Sequence, residues 1–144
     1  MIEQDTVKLL RECDAGVKMG VSSIHEVLPY VRSGKLKQLL SDSGKEHNTL
    51  DGEIQRLLHR YRDEGKAPNP LVKTMAEVKT GLKLTAHESD QTVAELMTDG
   101  CNMGVKSLSR YLNQYAAADE VSKDIAKRLI SMESALAVDL RDYL

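Results

Sequence analysis

The sequence predicts an all-α fold, on three observations. Apolar residues recur at spacings of three and four over long stretches, no stretch has the period-two alternation of a half-buried strand, and one helical phrase occurs twice. The first stripe is Val7, Leu10, Asp14, Val17, Val21, Ile24, Leu28 and Val31, which predicts a helix over about 6–32 with Pro29 bending or ending its last turn. "RSGK" supplies the turn. A second stripe, Leu36, Leu40, Ser43, His47, Leu50, Ile54, Leu57 and Tyr61, predicts a helix over about 35–64. "GKAPNP" at 65–70 is the strongest break in the chain. Beyond it Leu71, Met75, Val78 and Leu82 share one face of a short helix over about 71–83. A third long helix runs over about 86–116, and "AAADE" turns into a fourth over about 120–143.

Helices of this length with one apolar stripe each bury those stripes by forming a bundle. The connections around "RSGK" and "AAADE" are short, so the long helices pair as two antiparallel hairpins, and the long middle connection is able to cross the bundle from end to end. The repeat agrees. "GVKMGVSSIHEVL" (16–28) and "GCNMGVKSLSRYL" (100–112) are identical at six of thirteen positions, and "HNTLDGEIQRLL" (47–58) follows "ESALAVDLRDYL" (133–144) more weakly. The chain is thus expected to be one domain, 1–144, built from two copies of a helical hairpin.

Composition narrows the partners. At 144 residues the chain is long enough for a core of its own, and with no Trp or Phe and five Tyr that core is aliphatic. A net charge of -2 lacks the positive excess that a phosphate backbone demands, so no nucleic-acid partner is expected. No apolar run approaches a membrane span, and "MIEQDTVKLL" lacks the pattern of a signal peptide. Cys13 and Cys101 have no CxxC spacing and sit in helices, which suits reduced thiols and a cytoplasmic location.

On these four helices, the duplicated hairpin and the long crossover, the chain resembles the ferritin-like superfamily, and most the small bacterial ferritin-like bundles related to rubrerythrin and bacterioferritin. The resemblance implies a crossover helix between the second and third long helices. It also implies, in members that handle iron or oxygen, a di-iron site with one Glu from each of the first and third helices and a Glu-x-x-His from each of the second and fourth. This chain departs from that set. It has Asp14 and Asp99 in place of the two Glu, Glu46 directly followed by His47 with Thr49 at the His position, and Glu133 followed three residues on by Leu136. The di-iron site is degenerate.

The polar residues left in the seam are Asp14, Ser43, His47 and Glu133, with Cys101 inward on the third helix. Counted from the turns, His47, Glu133 and Cys101 share one layer, and Asp14 falls roughly 8 to 10 Å away at 1.5 Å per residue. One reading is a buried His47–Glu133 pair in which each satisfies the other. The other is a mononuclear site for a single Zn or Fe ion with His47, Glu133, Cys101 and Asp14 as ligands. For Asp14 the helix also offers Lys18 one turn on. No GxSxG, P-loop or HExxH is present, so no catalytic residue is assigned. "HNTLDG" lacks the Lys-Gly of a histidine phosphotransfer site, since Asp51 precedes Gly52.

Gly16/Gly100 and Gly20/Gly104 form small-residue stripes at i, i+4 spacing, predicting unusually close packing of the first and third helices. The function expected is a non-catalytic binding or interaction module without a cofactor. A homodimer, a protein partner or a small apolar ligand held in space left by the glycines are its possible partners. The alternative is an iron- or zinc-binding protein of the oxidative-stress or iron-handling type.

Overall fold

The computed structural model describes residues 2–63, 65 and 89–144 and is predominantly helical, with no strand among them. There are four long helices, α1 Ile2–Val27, α2 Gly34–Arg60, α3 Asp90–Gln114 and α4 Glu120–Asp139, with a short tight turn at Leu28–Tyr30 between α1 and α2 and another at Leu140–Tyr143 after α4. The predicted short helix over about 71–83 lies outside the described residues. None of the helices is long and apolar enough to cross a membrane.

Local chemistry explains the ends. Pro29 has no amide hydrogen for a helical bond, and α1 stops at Val27 and tightens into the turn Leu28–Tyr30. This is earlier than the expected end near 32, because the ring sits where the last turn would need a donor. Ser33 caps α2 through Leu36 N–H (3.2 Å), Ser89 caps α3 through Thr92 N–H (3.1 Å), and Asp119 caps α4 through Ser122 N–H (2.8 Å). The far end of α2 comes at Arg60, short of the expected 64. Arg62 there takes a left-handed backbone with φ 55°, and Asp63 N–H turns back to the Leu58 carbonyl at 3.0 Å.

Hydrogen bonds between turns fix the helix directions. The Asp90 carboxylate at the start of α3 accepts from Arg32 N–H (2.7 Å) and Ser33 N–H (3.0 Å), so α3 begins where α1 ends. At the opposite end Asp5 accepts from Ala117 N–H (3.1 Å) and Thr6 from Asp119 N–H (2.8 Å). Taking α1 as up, the order is up, down, down, up. α2 therefore finishes at the opposite end of the bundle from the start of α3. Within the bundle α1 packs on all three other helices, and α2 meets α4 rather than α3.

The core falls into two apolar clusters. One holds Leu9, Val17, Leu50, Ile54, Leu108 and Leu129 toward the end where α1 begins. The other holds Ile24, Val27, Leu36, Leu40, Val93 and Leu140 toward the end where α1 finishes. His47 and Glu133 belong to neither and lie between them in sequence on both α2 and α4.

Candidate functional site

Of the four residues singled out from the sequence, three come together. His47 is 1% exposed, and its Nε2 stands 2.7 Å from Glu133 Oε1, joining α2 to α4. Its Nδ1 stands 2.7 Å from the Ser43 carbonyl oxygen one turn back. A carbonyl oxygen only accepts, so Nδ1 carries a proton and donates; facing a carboxylate, Nε2 donates as well. Burial works against charge on the ring. The hydrogen bonds to Glu133 and to the Ser43 carbonyl, with the charges of Glu133 and Glu46, outweigh it and raise the pKa above its ordinary 6.5. Below that raised value the pair is an imidazolium–carboxylate ion pair. Because the folded pKa is the higher one, the stability the pair contributes is whole below pH 6.5 and is lost as pH rises through the folded value. Removing one partner alone strands a buried charge, at a cost of about 3–5 kcal/mol.

Cys101 on α3 completes the layer by hydrogen-bonding to Glu133. Burial first, then the Glu133 charge and that bond, push its thiol far above the usual range. Cys13 is pushed up to about 12 by burial and by the charges of Glu12 and Asp14. Both cysteines are free, buried thiols, and neither is placed to act as a thiolate nucleophile.

Asp14 does not join this layer. It is fully buried elsewhere, against α2, where Lys18 Nζ lies 2.9 Å from Oδ2 and Gln55 Nε2 donates to Oδ1 at 2.7 Å. The partnership with Lys18 is the one the helix spacing offered. Sequence reasoning missed Asp51 and Gly65. Asp51 is pushed up to about 6 by burial and by a hydrogen bond to the Asp14 carboxylate and its charge, against the pull of Gln55 and Lys18. Burial and the neighbouring Asp14 carboxylate both disfavour the ionised form of Asp51. Gly65 has φ +85°, and a Cβ on it would run into Asp14 Oδ2, so only glycine lets the chain pass so near. The signal for Asp51 was its position one helical turn before Gln55; nothing local marked Gly65.

The arrangement offers a metal ion a pair rather than a cage. To ligate, imidazole needs a free lone pair, and both His47 nitrogens face acceptors that hold protons on them. Among the described residues no group of three or more His, Cys, Asp and Glu side chains is arranged to hold a metal. The set His47, Glu133, Cys101 and Asp14 is divided, with Asp14 in a different contact network. The residues present do not fit the di-iron centre that the resemblance implies.

The glycine stripes lead to a different structure from the one expected. A Cβ on Gly20 would stand 3.2 Å from His47 Cδ2 and Nε2 and 3.5 Å from Glu133 Oε1, one on Gly104 would lie 3.7 Å from Glu133 Oε2, and one on Gly16 would lie 3.7 Å from Leu129. Around Gly100 nothing lies within 4 Å. The nearest neighbours of these positions are thus side chains of α2 and α4, not the opposite glycine helix. The stripes do not interlock α1 with α3. They open a groove of about 550 Å³ between those helices, walled by Met19, Met97, Met103, Leu96, Ile24 and Tyr111, with His47 and Glu133 in its floor. Its size is that of small-molecule sites. The groove was legible in the sequence only as the space that glycines leave.

Compared with protein-family models, with curated proteins and with solved structures, the chain has no match.

Asp51 sets a stability difference with a definite sign. Its pKa is raised from 3.8 to about 6, so its contribution is present below pH 3.8 and lost as pH rises through 6. Asp51→Asn is expected to be the more stable protein at pH 7.5, by about 1 kcal/mol after allowing for solvent screening. Denaturant melts should show that advantage disappear below about pH 4. A variant less stable than the wild type at pH 7.5 would contradict the raised pKa of Asp51.

The glycines separate in the same way. Gly100→Ala, with open space around it, is expected to gain up to about 1 kcal/mol of helix propensity. Gly20→Ala, pressing on the His47 ring, is expected to gain nothing or to lose stability. Thermal denaturation of the two variants decides it, and equal gains would show that Gly20 does not matter to the pair.

Proposed function

We propose that this chain is a non-catalytic, ferritin-like helical bundle that works as a binding module and takes a small, largely apolar molecule into the groove between α1 and α3. The up-down-down-up order of helices supports the resemblance to ferritin-like bundles. What carries the binding reading is the groove. Four glycines in two helices remove side chains from one place, and each forgoes up to about 1 kcal/mol of helix propensity there. The space they leave is walled mainly by apolar groups, with methionines that adapt to the shape of an occupant. A carboxylate and an imidazolium in its floor supply the polar contacts that would orient a ligand. The rival reading, a protein that handles iron or zinc, draws on the same His47, Glu133 and Cys101, while Asp14 belongs to a different contact network.

Titration with the neutral apolar fluorophore N-phenyl-1-naphthylamine tests this. One equivalent should bind to the wild type, with amide shifts confined to α1 and α3 around Gly20 and Gly104. Gly100→Leu and Gly104→Leu, each filling the groove, should lose binding at least tenfold while keeping helical circular dichroism. Undiminished binding by both variants, or none by the wild type, would overturn the proposal, and a full equivalent of transition metal in the purified protein would favour the rival.

A further inference from the structure

Met19 and Met103 hold the same place in the two repeats, each directly before the glycine that looks onto the His47–Glu133 pair. Both line the groove, Met19 from α1 and Met103 from α3. On a helix the side chains able to cover a residue stand three and four places away. For Met19 these are Ala15, Gly16, Ser22 and Ser23, all of them small. For Met103 they include Gly100, where even a Cβ would meet nothing within 4 Å. Met103 is 65% exposed, and of the large exposed hydrophobic residues among the described ones it alone lines the groove. The remaining described methionines are better covered. Met97 is 5% exposed in the cluster of Ile24 and Leu140, and Met132 packs on the cluster of Leu9 and Leu129.

An exposed thioether beside an apolar site is open to oxidation, and the two cysteine thiols do not draw the oxidant away. A thiol reacts as its thiolate, and burial keeps Cys13 and Cys101 protonated. A thioether has no proton to lose, so access alone governs its reaction. Hydrogen peroxide hands one oxygen atom to the sulfur. The O–O bond breaks, an S–O bond forms, the sulfur gives up two electrons, and the rest of the peroxide leaves as water. The product is a polar, chiral sulfoxide in place of a flexible apolar side chain. Its oxygen holds water that an apolar occupant of the groove would displace without replacing the hydrogen bond. A methionine sulfoxide reductase reverses the step, with two thiols oxidised to a disulfide and the oxygen released as water.

We propose that Met103, with Met19 across the groove from it, is a site of reversible oxidation by peroxide that lowers the groove's affinity for its apolar ligand. This rests on the groove being a ligand site, and the test keeps the two claims apart. The intact protein is treated with hydrogen peroxide, the oxidised residues are located by peptide mass spectrometry, and the same samples are titrated with N-phenyl-1-naphthylamine. Of the four described methionines, Met103 should oxidise first and Met19 next, with Met97 and Met132 intact while the fold holds. Affinity should then fall about fivefold or more, the lower end of what an unpaired polar group costs in an apolar site. Helical circular dichroism should be unchanged, and a methionine sulfoxide reductase should restore binding. In the double variant Met19→Leu with Met103→Leu, affinity should not change under the same treatment, whatever its starting value. Oxidation of Met97 or Met132 ahead of Met103, undiminished binding by the oxidised protein, or an equal fall in the double variant would overturn the proposal and leave the groove standing. No binding by the untreated protein would overturn both.

Discussion

A buried histidine on one helix and a buried glutamate on another, 2.7 Å apart, form the interaction on which this bundle depends. The apolar core does not run unbroken along the helices. It is divided into two clusters, and the His47–Glu133 pair stands between them with Ser43 and Cys101. An apolar pair of similar volume would pack there at no greater cost, so the pair is not the strongest way to hold α2 to α4. What it does is choose a register. If α2 slid against α4 by one turn, an imidazolium and a carboxylate would each be left in an aliphatic core. Leucines tolerate such a slip, and buried charges do not.

The pair also has a place in the internal repeat. His47 and Glu133 are equivalent positions of the two hairpins, the first residues of the matching segments on α2 and α4. Equivalent positions related by a twofold meet at the axis, and here they meet as opposite charges. Gly20 and Gly104 are equivalent too, and both look onto this pair, Gly20 from α1 and Gly104 from α3.

Much of this was legible in the residues. Strict three-and-four spacing gave the helices, short turns gave the hairpins, and depth counted from the turns brought His47, Glu133 and Cys101 to one layer. Helix ends were less legible, since they depend on single groups: Pro29 without its hydrogen, and Arg62 with a left-handed backbone. The spacing of Asp14 and Lys18 showed their contact, but not that Asp14 would meet Asp51 and lie under Gly65, because those meetings span distant parts of the chain. The small-residue stripe was the ambiguous signal. Glycines at i, i+4 permit either a close backbone approach or an open groove, and which one results is decided by where the neighbouring helices stand. In this bundle α1 leans on α2 and α4 at Gly16 and Gly20, so the space opens outward between α1 and α3.

The charge state of His47 is the point at which the whole account can be tested. Nitrogen-15 spectra of the imidazole, followed against pH, report each ring nitrogen separately. The ion pair predicts both nitrogens protonated at pH 6.5, with a midpoint above that ordinary value and a shift of the midpoint downward in Glu133→Gln. A His47 ring that is neutral at pH 6.5, with one bare nitrogen and a lowered midpoint, would contradict it.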